Sequence, residues 1–491
     1  MKTSEYIAQR IWKETQTVFG VTGGCVVNLV DSFKRNHFHI QTMHHEQSAA
    51  IAADSFARFK PLGVCFATSG PGTTNLLTGT CCSYYDSIPV LTISGQVPKR
   101  FLCGKDRQMG FQEVPGVELF DPVTKMSCRY VGPNDLNACI RVAKTPRRGP
   151  TFIEIPDDIQ RVDIEESPEA DPKRFVPINS ALSRELETII SKYKKPLLIV
   201  GAGAEDCILR LEAPFLYTWR TKDRFFDHEW CKGGFGITEG KYGNTLLKEA
   251  DLIIMFGTRM DSHQVPDWDK FAPQAYKVSV GLEFPHKVDK RIEVDLQGYL
   301  RIVADDWCSP ITKVFPKSEL YHFIDELSID ADRNDIIIPD MGQTGCCVLQ
   351  RWGLKKGQRL FNGMNHSPMG YSLPASVGAA LATGRRVIVI IGDGSLMMNL
   401  HDLQTIADLN LAINIFVVNN GGYGMIRQTQ DDWKEYLIQD VGCSFNVPNI
   451  KRLASAFGLK YTEKLVDKPS IFEIKMKSTR ITPKWKYGEE L

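Results

Sequence analysis

The sequence predicts an α/β protein of three doubly wound parallel-sheet domains, and three observations carry that prediction. Short apolar runs rich in β-branched side chains, such as Arg386-Val-Ile-Val-Ile-Ile391 and Ala412-Ile-Asn-Ile-Phe-Val-Val418, lie near Gly-rich turns. Runs without polar alternation are buried on both faces, as parallel strands are. Strand and helix signals recur in three blocks, 1–165, 178–312 and 315–491. The 491 residues, 43% apolar and 24% charged, suffice for about three ordinary cores.

In the first block a short strand, His37 to Thr42, leads into a helix opened by the small residues Ser48 to Ala53. Gly63 to Ala67, Pro89 to Ser94 and Thr151 to Ile155 are buried strands. A polar, acidic stretch with two prolines, Asp163 to Lys173, reads as a linker. The second block offers strands at Lys195 to Gly201, Ala250 to Gly257 and Arg291 to Asp295. Its Gly201-Ala-Gly203 is a fragment of a dinucleotide fingerprint without the full spacing, so a nicotinamide site is not expected. In the third block the run ending at Ile391 enters Gly392-Asp393-Gly394-Ser395. Ser395 is expected to cap a helix from Leu396 to Asn410. The next strand ends in Asn419-Asn420-Gly421-Gly422.

Asp393 therefore stands at the carboxyl end of a strand, where open α/β sheets bind ligands. The following strand delivers Asn420 to the same edge. A carboxylate, an amide oxygen and a turn carbonyl are hard oxygen ligands, suited with diphosphate oxygens and water to octahedral Mg²⁺. Asp-Gly beside a strand is common in plain turns; the combination of both loops within about thirty residues is far more specific.

That combination resembles the thiamine-diphosphate (ThDP) motif of the ThDP-dependent decarboxylase and carboligase family. The resemblance implies that Asp393, Asn420 and the carbonyl of Gly422 hold Mg²⁺, and that Gly392, Gly394 and Ser395 lie against the cofactor. A distant segment, His44-His45-Glu46-Gln47-Ser48, looks like the family's catalytic-glutamate motif, with Glu46 assisting proton loss from the cofactor through its aminopyrimidine ring. Such a carboxyl group should lie in a largely apolar site. The loop Thr68-Ser69-Gly70-Pro71-Gly72-Thr73-Thr74-Asn75 matches the family in the same order, which adds Pro71, Asn75 and the earlier Gly23 as cofactor contacts.

The resemblance covers nearly the whole chain and is strongest to the acetolactate synthase-like branch. Gln108 to Val114 looks like that branch's active-site segment, with Gln112 as a catalytic residue. Pro368 to Ala375 looks like the segment under the cofactor, where Met369 would prop ThDP in its bent shape, and Met425 would contact the cofactor or substrate pocket. The family arrangement implies a ThDP pyrimidine-binding first domain, a central domain, and a third domain for the diphosphate and metal. It also implies an active site shared between subunits of a homodimer or homotetramer.

Three departures bear on the substrate. Acid, Asp157-Asp158, replaces a lysine; His263 stands where an arginine would hold the second 2-keto acid; Thr429 replaces a tryptophan that selects the acceptor. Loss of a bidentate guanidinium is not conservative. The stretches His44 to Gln47 and Arg259 to Trp268 look like a subgroup tied to nucleotide-sugar pathways. The expected activity is thus decarboxylation of a 2-keto acid, pyruvate, with carboligation to an acceptor such as a keto-sugar nucleotide. The alternatives are an acetolactate synthase, a simple decarboxylase, or a non-catalytic ThDP-fold subunit. Relatives can hold FAD structurally in the middle domain and close the site with their tails; both features stay open for this compact chain.

The net charge of +1 argues against nucleic-acid or anionic-membrane partners. The N-terminus shows no signal peptide and no apolar run approaches a membrane span. Thirteen scattered cysteines without C-x-x-C read as free thiols in a reducing cytosol.

Overall fold

The computed structural model describes residues 1–103, 107–165, 180–205, 207–237, 239, 241–308, 318–433, 446–477 and 480–481. Most of the expected linker, and the tail beyond Ile481, lie outside these residues. Among them, no helix is long and apolar enough to cross a membrane.

Three six-stranded sheets, parallel throughout, follow one another along the chain. The first runs in the spatial order His39–Thr42, Thr17–Gly20, Gly63–Ala67, Val90–Gln96, Thr151–Pro156, Ser127–Arg129. The second runs Cys231–Gly234, Phe215–Tyr217, Pro196–Val200, Leu252–Phe256, Tyr276–Gly281, Lys290–Glu293. The third runs Arg359–Leu360, Ile336–Pro339, Val387–Gly392, Ile413–Asn419, Ser470–Lys475, Lys460–Tyr461. Central strands such as Leu197 to Val200 and Val387 to Ile391 are fully buried, which explains why they read as unbroken apolar runs.

In each sheet the chain enters near the middle, winds to one edge, then returns past its starting strand. This creates a switch point between the first strand and the one on its other side, where a crevice opens at the carboxyl ends. The three switch points lie between Thr17–Gly20 and Gly63–Ala67, between Pro196–Val200 and Leu252–Phe256, and between Ile336–Pro339 and Val387–Gly392.

The first and third domains share one apolar core. The helix Glu46–Ala57 crosses the helix Ser372–Thr383 closely enough that a Cβ on Gly378 would lie 2.1 Å from the Ala52 carbonyl oxygen. A buried polar network locks the same interface. Arg58 pairs with Asp54 at 3.1 Å and Asp86 at 2.5 Å, Tyr371 donates to Asp54 at 2.6 Å, and Asn365 donates to Asp86 at 2.7 Å.

Three expectations need correction. The helix expected over Leu396 to Asn410 is two, Asp393–Met398 and Asp402–Asp408. It breaks at Asn399, whose side chain donates to the Gly370 carbonyl and accepts from Gln47. Ser395 is not the cap: it lies inside the first turn, and Gly392 is the capping residue. Asp163 and Ile164 belong to the first domain, held by Lys2 at 2.8 Å and by the N-terminal amine.

Candidate active site

At the third sheet's switch point, Asp393 is the first residue of its helix and is 1% exposed. Its Oδ1 accepts from the Gly394 N–H at 2.8 Å and its Oδ2 from the Gly422 N–H at 2.9 Å. The two loops singled out in the sequence thus meet on one carboxylate. Burial pushes the Asp393 carboxyl above its ordinary value, against the lowering pull of those backbone amides and of Arg427. Gly422 adopts a φ of 136°, a conformation that favours glycine. Asn420 Oδ1 accepts from Arg427 Nη2 at 3.3 Å.

Two further residues reach this edge without having been singled out in the sequence. Gln343 opens the helix that follows the strand Ile336–Pro339, and its buried Oε1 has no hydrogen-bond partner. Arg427 brings a guanidinium to the loop, and its buried Nε is also unpartnered. Gln343 lies far from Asp393 in sequence and shares no motif with it, whereas Arg427 falls in Tyr423–Gln428, the segment resembling the helix after the metal loop, where only Met425 was singled out. Beneath them, Asp340 accepts from the N–H groups of Met341, Gly370 and Ser372 and from the Ser372 hydroxyl. That carboxylate fixes the Pro368–Ser372 loop, on which Met369 stands 37% exposed. Met425 is partly buried against the main core, beside Gly342.

At the first sheet's switch point, Glu46 opens its helix, half-buried, and accepts from Asn75 Nδ2 at 2.9 Å. Its other oxygen faces Gly72. Pro71 is the first residue of the short helix that ends at Asn75. Gly23 sits against Thr68, where a Cβ would approach to 2.6 Å. Gln112 packs on Gly70 with a φ of 64°, left-handed for a side chain of that size. Glu46, Asn75, Pro71, Gly23 and Gln112 therefore gather at one edge. Within the single chain Glu46 and Asp393 share no hydrogen-bond partner among the described residues.

A polar network joins the two edges. His44 Nδ1 lies 3.0 Å from Thr405 Oγ1, Ser48 donates to Asp402 at 2.8 Å, and His401 Nε2 lies 3.1 Å from Ser48 Oγ. Asp402 is fully buried and pushed up to about 7 by burial, partly offset by the Ser48 hydroxyl.

The departures also have places. Asp158 accepts from the Lys99 N–H and Asp157 pairs with Arg161 at 2.5 Å, so both acids are committed to local structure. His263 Nδ1 lies 3.9 Å from Asp261. Thr429 is exposed and donates to the Met425 carbonyl.

Three family profiles match: "Thiamine pyrophosphate enzyme, N-terminal TPP binding domain" over residues 1–119, the central domain over 184–305, and the "C-terminal TPP binding domain" over 340–482. Among curated proteins, acetolactate synthase isozyme 1 large subunit of Escherichia coli is 30% identical over 90% of this chain and 85% of its own length. The acetolactate synthase of Arthrospira platensis is 31% identical over 91% and 86%. A probable acetolactate synthase large subunit of Methanocaldococcus jannaschii is 29% identical over 94% and 87%.

Proposed function

The chain belongs to the thiamine pyrophosphate enzymes, in the acetolactate synthase-like branch, and from that premise we propose that it decarboxylates pyruvate and joins the two-carbon unit to a second pyruvate. The observation that carries the reading is the Asp393 carboxylate, buried and bound by the N–H groups of both metal-motif loops.

The donor set fits diphosphate and a hard cation. A desolvated carboxylate favours a cation beside it, and the orphaned Gln343 Oε1 supplies a further acceptor at the same edge. Asp393, Asn420 and the Gly422 carbonyl would hold Mg²⁺, with Gly392, Gly394 and Ser395 against the diphosphate. ThDP, when bound, supplies the electron sink for losing carbon dioxide from a 2-keto acid. Glu46 holds or yields a proton at its carboxyl, which Asn75 orients. Gln112, fixed in a strained backbone, positions an amide at the same edge. Met369 and Met425 offer apolar contact.

A second copy of the chain would complete the site. Glu46 and Asp393 share no hydrogen-bond partner in one chain among the described residues, and Phe111 at 86%, Met109 at 63% and Met398 at 44% exposure leave apolar groups uncovered.

The acceptor reading shifts from the sequence-based expectation. His263 and Thr429 argued against a simple 2-keto acid, and the stretches His44 to Gln47 and Arg259 to Trp268 suggested a keto-sugar, yet relatives matching about nine-tenths of the chain carry the name acetolactate synthase or probable acetolactate synthase, which favours acetolactate. Product analysis with pyruvate, ThDP and Mg²⁺, with and without a keto-sugar nucleotide, tests this. Acetolactate at a kcat/KM of about 10⁴ M⁻¹s⁻¹ or above is expected. Product only with the sugar would overturn the acceptor, and no carbon dioxide in any arm would overturn the whole reading.

A further inference from the structure

Gln112 stands in the loop Gln108 to Val114 with a left-handed φ of 64°. Backbone held in that region persists only where its surroundings over-determine it. Two sets of hydrogen bonds do so here. The first is local. Glu113 Oε2 accepts from the N–H groups of Met109 at 2.9 Å and Gly110 at 3.1 Å, and its Oε1 from the Cys103 N–H at 2.8 Å. Gln108 Nε2 closes the loop onto the Glu113 carbonyl at 3.1 Å.

The second set rises from the sheet beneath. Strands Val90–Gln96 and Thr151–Pro156 are parallel neighbours, with Ser94 opposite Glu154 in register. Gln96, two residues beyond Ser94, presents its side chain to the same face. Glu154 is fully buried; its Oε1 accepts from Arg129 Nε at 2.7 Å and its Oε2 from Gln96 Nε2 at 2.8 Å. Gln96 Nε2 directs its other hydrogen to the Val114 carbonyl at 2.8 Å, and Gln96 Oε1 accepts from the Val97 N–H at 2.8 Å. Every donor of that amide is therefore used. It joins a desolvated carboxylate, which needs donors on both oxygens, to a carbonyl two residues from Gln112. The chain beyond Val114 fits as closely: a Cβ on Gly116 would lie 2.7 Å from Glu154 Oε2 and 3.3 Å from Thr73 Cγ2. Since Gln112 packs on Gly70, the loop sits on the segment whose Asn75 orients Glu46.

We infer that Gln96 and Glu154 are positioning residues for the reaction: Glu154 orients the Gln96 amide, and that amide holds the Val114 carbonyl so that Gln112 stays at the edge it shares with Glu46. The inference rests on the proposed reading in which Gln112 serves the decarboxylation. Gln96 and Glu154 are both fully buried, so each acts through the loop and not by touching a substrate.

The test uses the whole chain with ThDP and Mg²⁺. Gln96→Met keeps the side chain's length and removes both amide hydrogens. Glu154→Gln turns an amide N–H toward one of the two donors. Gln112→Ala and the double variant Gln96→Met/Gln112→Ala complete the set, and circular dichroism establishes that each is folded. Amide hydrogen exchange, read by mass spectrometry, reports on the loop without reference to activity. Over residues 108–116 it should quicken about tenfold in Gln96→Met and in Glu154→Gln, and it should keep the parent rate over the helix Glu46–Ala57. In the same two variants kcat for carbon dioxide release from pyruvate should fall about tenfold, with ThDP affinity at the parent value. The double variant should turn over as Gln112→Ala does, because the bridge acts only through that residue. Two failures are distinguishable. A parent that releases no carbon dioxide, or Gln112→Ala as active as the parent, would overturn the underlying reading and leave the loop no reaction to serve. In an active parent, unchanged exchange over residues 108–116, or losses that multiply in the double variant, would overturn the positioning role alone.

Discussion

Asp402→Asn is the most informative single change at the interface between the first and third domains. Asp402 is fully buried; Ser48 donates to its Oδ2, and Oδ1 has no hydrogen-bond partner among the described residues. His401 Nε2 lies 3.8 Å from that oxygen. Burial, with smaller contributions from His45 and His44, holds His401 below the ordinary imidazole value, so above pH 7 it offers no countercharge. The Asp402 carboxyl is therefore raised from 3.8 to about 7. Between those values the folded chain keeps a proton that the unfolded chain releases. Stability contributed by this group is complete below about pH 4 and lost as pH rises through about 7. At about 1.36 kcal/mol per pH unit the full loss is about 4 kcal/mol.

Asparagine keeps the acceptor for Ser48 and removes the titration. Its amide places a donor where Oδ1 stands, too far from His401 for a hydrogen bond, which costs about 1–3 kcal/mol at every pH. The variant is thus expected to match or fall slightly below the parent at pH 5 and to exceed it by about 1–3 kcal/mol at pH 8. Denaturant unfolding midpoints at fixed protein concentration, taken each half unit from pH 4.5 to 8.5, read this directly. The diagnostic is the slope, because the amide's cost does not change with pH. Parallel curves for parent and variant would refute the reasoning.

Other changes probe the site and its frame. Glu46→Gln should keep the fold and ThDP binding but slow turnover by roughly 10²–10⁴-fold; near-normal exchange of the cofactor's thiazolium proton in that variant would remove Glu46 from its role. Asp393→Ala should lower ThDP affinity sharply and make it depend on high Mg²⁺, and chelation should release ThDP from the parent chain; tight ThDP binding by metal-free protein, measured by equilibrium dialysis, would contradict the metal assignment. Arg58→Leu leaves Asp54 and Asp86 buried without their cation and should destabilise by about 3–5 kcal/mol, seen as an earlier unfolding midpoint; a loss under about 1 kcal/mol would show that the network relaxes.

What the sequence revealed, and what it hid, follows from how each feature is built. The strands Gly63–Ala67 and Thr151–Pro156 were legible because a strand buried on both faces has no polar alternation to dilute its signal. Edge strands such as Ser127–Arg129 and Arg359–Leu360 carry three residues or fewer, too little pattern to register. The helix expected from Leu396 to Asn410 failed for a tertiary reason. Asn399 and His401 are acceptable helix residues locally, but Asn399 bonds to Gly370 and Gln47, and His401 to Ser48. Those partners come from distant segments, and their hydrogen bonds outweigh one more turn of helix. Ser395 was misplaced as a cap because the glycine before Asp393 already supplies the extended backbone a cap needs.

The same logic separates residues written into a motif from residues that only the fold brings together. The proposed metal-diphosphate site draws its carboxylate, its glycines and its amide from the ends of adjacent strands, so Asp393 and Asn420 stand in short contiguous words, and the structure brings those two loops together through Asp393 and the Gly422 N–H. Gln343 reaches the same edge from another segment and left no such word. The cleft beside the central sheet, walled by all three domains, is assembled entirely in that second way. Arg220 follows one strand and Arg259 another, the first domain contributes Arg147, and the third contributes Arg359. In sequence each is one of 59 basic residues in a nearly neutral chain, with nothing to mark it. Only the folded arrangement shows which arginines are neutralised by partners and which are not.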